Sequence, residues 1–285
     1  MRQGAARALS GSPPEFAPLE RPQIFVESDM QAPGLYRLAG GRAAVLSRPG
    51  HGPEMPNEDA AALFPLGPNS GVLAVADGVG GRPAGGQAAR AALEALGAAL
   101  ERAAAGGTSV REGVLDGMDA ANRAVLALGL GAATTIVVAE IEDGAVRSYH
   151  VGDSGLLVVG QRGRIKLQTI FHSPVGYAVE AGILDEREAI RHADRHLISN
   201  ALGREDMRLD LSSEVRLAPR DTLLLASDGL FDNLRTPEIA ERIRRGDLAR
   251  SFTQLCLDCR RRMESPREGA PSKPDDLTVI AFRLG

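Results

Sequence analysis

The chain reads as an α+β fold built on antiparallel sheets, and three observations carry that expectation. Strand-like apolar runs are joined by short turns, two long Ala-rich segments have helical spacing, and helices stand between runs of strands instead of alternating with them one for one.

The elements follow in order. Residues 1–40 are rich in Pro, Gly and Ala without a sustained period and read as a flexible N-terminal extension; 41–285 reads as the folded domain. "RAAVLS" (42–47) and "GVLAVA" (71–76) are strand-like. The next segment, 83–106, is helical: Ala89, Leu93, Leu96 and Leu100 recur at spacings of four, three and four, and Arg90 can meet Glu94 on the other face. A second helix runs from Val110 to Leu128, with Val114, Met118, Ala121 and Val125 on one stripe.

"ATTIVVAEI", "AVRSYHVG", "GLLVVGQ" and "RIKLQTI" then predict strands. The short turns at Asp143-Gly144, Asp153-Ser154-Gly155 and Arg162-Gly163 predict hairpins between them. Residues 171–210 are charged and less regular, a partly helical segment. Strands return with "SSEVRLA" and "TLLLAS", followed by helices near Pro237–Arg245 and Asp247–Glu264. A Pro/Gly loop leads to a last strand, "DLTVIAFRL".

Composition excludes several classes. A net charge of −4 and a pI near 5.8 give no basic footprint for nucleic acid. No apolar run approaches the roughly 20 residues of a membrane span, and the N-terminus lacks the apolar core of a secretory signal. A cytoplasmic protein without nucleic-acid or membrane partners is the expectation. Cys256 and Cys259 form a CxxC with no second ligand pair to complete a zinc site, so they read as two thiols on one helix face.

One pattern recurs: an apolar strand that ends in an acid, twice with glycine directly after it. "VLAVADG" delivers Asp77, "TLLLASDG" delivers Asp228 and "YHVGDSG" delivers Asp153; Asp275-Asp276 precede the last strand. Asp-Gly alone marks ordinary turns, but two such acids follow long apolar runs. Carboxylates gathered at one sheet rim would repel unless a cation neutralised them. All-oxygen ligands select Mg²⁺ or Mn²⁺ over zinc or copper, and a glycine after the acid leaves room for backbone carbonyls and water.

In this order, "NEDA", "VADGVGG", "HVGDSG", "SNALG", "ASDGLFDN" and "DDLTVI" resemble the successive motifs of the type 2C, metal-dependent serine/threonine protein phosphatases. The likeness runs from about Ala43 to the C-terminus. It implies a four-layer αββα sandwich of two antiparallel sheets flanked by helix pairs, with two Mn²⁺ or Mg²⁺ ions at one rim and a third, weaker site. By the same resemblance Asp77 bridges both metals, the Gly78 carbonyl serves the second with Glu58 outside it, and Asp59 lies near the metals. Asp228 and Asp275 complete the first metal, and Asp153 and Asp232 hold the third. Water activated between two metals would attack phosphoserine or phosphothreonine of a phosphoprotein, reversing a serine/threonine kinase.

Two positions depart from that pattern. Val79 stands where many relatives place a histidine that protonates the leaving oxygen. Glu54 stands where relatives place a phosphate-gripping arginine; Arg48 is the first-ranked substitute, ahead of His51 and Arg82. The two departures motivate an alternative, a catalytically weak pseudophosphatase that binds a phosphoprotein or partner. The segment 171–210 resembles the family's flap, with Phe171-His172-Ser173 where Asp-His-Ser is frequent. His192 and His196 at i,i+4 read as flap-surface histidines, and "GDSG" (152–155) as a chance likeness to a serine-protease loop.

Overall fold

The structure, a computed structural model, describes residues 15–50, 55–79, 84–129, 131–189, 192–267 and 269–285. Strands β1 (Ala17–Pro18), β2 (Gln23–Val26), β3 (Gly34–Leu38), β4 (Gly41–Arg48), β5 (Asp59–Pro65) and β6 (Ser70–Gly78) come first. Helices α1 (Gly85–Gly106) and α2 (Val110–Leu128) precede β7 (Thr134–Glu142), β8 (Ala145–Val151), β9 (Gly155–Val159) and β10 (Ile165–Gln168). Short helices α3 (Pro174–Glu180) and α4 (Glu186–Ala189) lead to β11 (Asp210–Leu211), β12 (Val215–Arg216) and β13 (Thr222–Ala226). Helices α5 (Asp228–Phe231), α6 (Thr236–Ile243) and α7 (Leu248–Glu264) come before β14 (Leu277–Leu284).

One sheet has the order β1-β3-β4-β14-β13-β9-β10; the other runs β11-β8-β7-β6-β5-β2, with β12 also on β8. Every pairing is antiparallel except the parallel pair β1–β3. The period of two along each strand divides the core into three. Leu73 and Val75 of β6 meet Val45, Leu225, Ile280 and Phe282 between the sheets. Val72, Ala74 and Ala76 face α1 and α2 instead, against Leu93, Leu96, Met118 and Val125. Leu224 and Ala281 face α6 and α7, against Ile239, Phe252 and Leu255. These are the expected four layers.

The predicted helical stripes are the buried ones: Ala89, Leu93, Leu96 and Leu100 on α1, and Val114, Met118, Ala121 and Val125 on α2. Arg90 and Glu94 pair at 3.6 Å. Ser109 caps α2 and Glu112 returns the bond to the Ser109 N–H, so two donors at the helix start are satisfied.

Two expectations are corrected. Of the segment expected to be a flexible extension, residues 17–38 contribute β1, β2 and β3 to the sheets, because Ile24, Phe25, Leu35 and Tyr36 find apolar partners there. The turn at Asp153-Ser154-Gly155 is not a hairpin: β8 belongs to one sheet and β9 to the other. Gly152 re-aims the chain with φ +105, and an added Cβ there would lie 2.5 Å from Thr135 Cβ, so glycine is required.

Candidate metal centre

The same period of two decides where the acids go. On β6 Leu73 and Val75 face the space between the sheets, and two residues further along the same face is Asp77. On β5, Ala61 and Leu63 share that face, and Asp59 continues it; Asp59 and Asp77 are directly paired across the strands. Ser227 extends β13 and Thr278 lies on β14 with the same parity as Ile280. Two sheets thus deliver polar groups to one rim of the inter-sheet layer.

A buried hydrogen-bond network fixes that rim. Ser227 Oγ donates to Asp59 Oδ2 at 2.7 Å, and Thr278 N–H donates to Ser227 Oγ at 3.2 Å. Asn57 donates to Ser28 O at 2.8 Å and to Ser47 Oγ at 2.9 Å, while its own carbonyl accepts the Asp59 N–H at 3.0 Å. Asp276 accepts from Gly50 N–H (3.0 Å) and Glu58 N–H (2.7 Å), which ties the β4 end and the β5 start to the β14 start. Gly78 N–H donates to Glu58 O at 3.3 Å. A Cβ on Gly78 would stand 2.4 Å from the Gly85 carbonyl carbon, and one on Gly229 would stand 1.9 Å from Asp276 O. The glycines after Asp77 and Asp228 therefore serve backbone packing, a reason the sequence does not display.

Burial first, and then mutual repulsion, push these carboxyls up. Asp77 is raised well above its ordinary value by burial and by Asp59, Asp228, Asp153 and Asp275. Asp59 is raised by burial and by Asp276 and Asp228, against the opposing Ser227 bond. Asp153 is pushed to about 8 by burial, Asp228 and Asp232. Asp228, Asp275 and Glu58 are also raised, burial leading in each. Asp228 and Asp232 frame α5, and Lys273, which the sequence reading passed over, bridges Asp228, Asp232 and Asp275 at 2.8, 3.0 and 2.8 Å. Its protonated form is favoured: burial opposes the charge, but the three carboxylates outweigh it.

The donor set fits hard divalent cations. All the side-chain groups are carboxylate oxygens, they raise one another, and Asp153 Oδ1 is buried without a hydrogen-bond partner. A cavity of about 320 Å³ opens beside Asp153, Asp228 and Asp232, with Ile170, Phe171 and Phe231 on its apolar wall. Phe171 and Phe231 meet edge-on with centroids 5.1 Å apart.

The other candidates differ in where they lie. Arg48 has the parity of Ala44 and Leu46, which face the α7 layer; its guanidinium lies 3.8 Å from Asp29, its Nε has no partner, and it shares a cleft of about 180 Å³ with Gly50 and Asp275. His51, Glu54 and Arg82 lie outside the described residues. Val79 is held by a bond from its N–H to Ala133 O at 3.0 Å, and its side chain has no proton to give. Ser154 is fully buried, 2.6 Å from Thr135 Oγ1, and is no exposed nucleophile. Cys256 and Cys259 are free and buried on one face of α7. His192 is exposed and sits beyond α4, 3.9 Å from Asp194.

A second cluster, His150, His172 and Asp210, brings ligand-type atoms within 4.8 Å of one another. Its hydrogen bonds already define another role. His172 Nδ1 accepts from Gly152 N–H (3.1 Å) and Asn200 Nδ2 (2.8 Å), so its proton is on Nε2, 3.2 Å from Asp210. Burial, chiefly, lowers His150 to about 4. The cluster fastens the 171–210 segment to β8.

This architecture and rim define a class: an αββα hydrolase with an acidic divalent-metal centre. The sequence matches the family model described as Protein phosphatase 2C over residues 52–266. It is 32% identical over 176 residues to a putative protein phosphatase 2C-type of Streptococcus pyogenes, covering 59% of this chain and 70% of that one. The PPM Ser-Thr phosphatase MsPP of Mycobacterium smegmatis, solved with cacodylate, superposes with a TM-score of 0.70 at 28% identity, over 85% of this chain and 98% of that one. The catalytic domain of the serine threonine protein phosphatase PstP, solved with 2 manganese ions, gives 0.66 at 27% identity over 85% and 97%. The chain belongs to the protein phosphatase 2C family and is a protein-serine/threonine phosphatase.

Proposed function

We propose that this chain hydrolyses phosphoserine and phosphothreonine in proteins with two Mn²⁺ or Mg²⁺ ions held by Asp77, the Gly78 carbonyl, Asp228 and Asp275, with Glu58 and Asp59 supporting them. One observation carries the reading: acids from β5, β6, the β8–β9 crossover, α5 and the β14 start meet at one rim, with a buried carboxylate oxygen of Asp153 left unpartnered. The 2-manganese PstP structure supports the number and the kind of ion.

Divalent ions bound there supply Lewis-acid chemistry, acidifying water and offsetting phosphoryl charge. The chain's own residues do the rest. Asp59, pinned by Ser227 and Asn57, keeps Asp77 in register at the rim. Asp228 and Asp275 approach from the other sheet, so the acids close on a reacting group from two sides. Val79 donates no proton, so the leaving serine or threonine oxygen would take its proton from another donor, water among them. Arg48 would reach the phosphate through the cleft that it shares with Asp275. The apolar cavity beside Asp228 would receive substrate side chains next to the phosphorylated residue. A serine/threonine kinase is the opposing partner, and the cytoplasm the setting. Among the described residues no helix is long and apolar enough to cross a membrane.

The test is phosphate release from a phosphothreonine peptide by protein stripped with EDTA and then given Mn²⁺ or Mg²⁺. Release that returns with metal supports the reading; binding of the phosphopeptide without turnover under either metal would turn it into the pseudophosphatase alternative.

A further inference from the structure

Two openings share a wall. The cavity of about 320 Å³ that holds Asp153, Asp228 and Asp232 is also lined by Arg195 and Arg235. The same two arginines line a cleft of about 560 Å³, which adds Arg187 and His192 and is backed by the loop between α7 and β14. Charge changes sign between the two: the cavity carries the acids of the rim, whereas the cleft has three arginines, a histidine and no acid among the described residues.

Two of these arginines are not spent on the protein's own carboxylates. Nearby, Arg242 pairs with Asp258, Arg244 with Glu241, Arg260 with Glu264 and Arg262 with Glu238. Arg187, exposed on α4, and Arg235, just before α6, form no ion pair with a described residue. Glu238, on the same helix start as Arg235, accepts the Arg235 backbone N–H at 3.0 Å and is taken by Arg262 at 2.9 Å. Arg235 Nη2 donates to Gly269 O at 2.6 Å, which holds the guanidinium at the junction of the two openings, and its Nε has no acceptor. Cations gathered this way repel one another until an anion joins them, and a guanidinium fork matches a carboxylate with two parallel bonds.

We infer that the cleft binds an acidic side chain of the phosphoprotein substrate, through Arg187 and Arg235, while the phosphorylated residue lies at the acid rim, so that this phosphatase prefers acidic phosphopeptides. The inference rests on the proposed function and names the substrate class for that site. An extended chain advances about 3.3–3.6 Å per residue, so a cleft that adjoins the cavity receives a residue within about four positions of the phosphorylated one.

The test uses phosphothreonine peptides of neutral sequence in which one glutamate is moved through each position within that range, with kcat/KM measured in Mn²⁺ at low and at high salt. At low salt wild type should hydrolyse at least one glutamate peptide about threefold or more faster than the neutral parent, the scale of two exposed charge pairs. High salt should erase the gain by screening, an arm that needs no variant. R187Q/R235Q should bring the ratio to about one, and R187E/R235E should favour lysine at the same position. R187Q alone, on an exposed helix face, should reduce the ratio and serves if changes at Arg235 disturb the fold. Equal hydrolysis of all peptides by wild type, or a gain that survives in high salt or in R187Q/R235Q, would overturn the inference and leave the proposed function standing. No hydrolysis of any peptide by metal-loaded wild type would overturn both.

Discussion

Asp59 and Asp77 are direct cross-strand partners at the ends of β5 and β6, both on the face that looks between the sheets. Paired positions hold their Cβ atoms roughly 4.5–5.5 Å apart, so the fold forces two like charges together where burial already disfavours charge. The metal-free protein carries this as a standing cost.

The pH dependence of stability follows. A carboxyl whose folded pKa lies above its unfolded value stabilises the fold when protonated, and that contribution is lost as pH rises through the folded pKa. Asp153, pushed to about 8, places its share of the loss between the ordinary carboxylate range and about pH 8, and the raised Asp59 and Asp77 add loss in the same direction. In EDTA the melting temperature should therefore fall from pH 5.5 to pH 8, and Mn²⁺ should flatten the slope. A metal-free melting temperature that rises across that window would refute the assignment.

Asn57→Ala removes two donated bonds and the acceptor of the Asp59 N–H, two of the three fully buried. The loss should be about 2–3 kcal/mol by urea denaturation, together with lower phosphatase activity, because the Asp59 backbone loses its tether. An unchanged midpoint would show that the network is dispensable.

The thiols should be inert. Burial pushes Cys256 to about 12 and raises Cys259 well above its usual range, so neither offers a thiolate near neutral pH. Native protein treated with iodoacetamide at pH 7.5 should show no added mass on either residue by mass spectrometry and no loss of activity. Rapid alkylation would mean that α7 opens in the native state.

Arg48→Ala should raise KM for a phosphopeptide more than it lowers kcat, if the guanidinium leaves Asp29 to grip the ground-state phosphate. Unaltered constants would move the role to His51 or Arg82.

Strands ending in acids could be read from the chain because a period of two carries each apolar run to a definite face, and Asp77 follows in step from Val75. Helices α1 and α2 were equally plain, since their apolar stripes repeat over many turns. What failed was short or remote. Strands β1, β2 and β3 are two to five residues long and separated by Pro and Gly, too brief for a period to emerge. The β8–β9 crossover looks like a hairpin because nothing local says which sheet the next strand joins. Lys273 sits in a Pro-rich loop, and two long-range ion pairs, to Asp228 and Asp232, reveal it; its nearness in sequence to Asp275 was the sole signal.

The most direct test sets wild type beside Asp77→Asn, with Mn²⁺ binding by calorimetry and phosphothreonine-peptide hydrolysis measured on the same preparations. The account predicts that the variant remains folded, binds Mn²⁺ more weakly or at fewer sites, and loses hydrolysis by at least about a hundredfold. Wild-type turnover in folded Asp77→Asn protein would contradict it, because the residue that β6 carries to the rim would then hold no metal that matters.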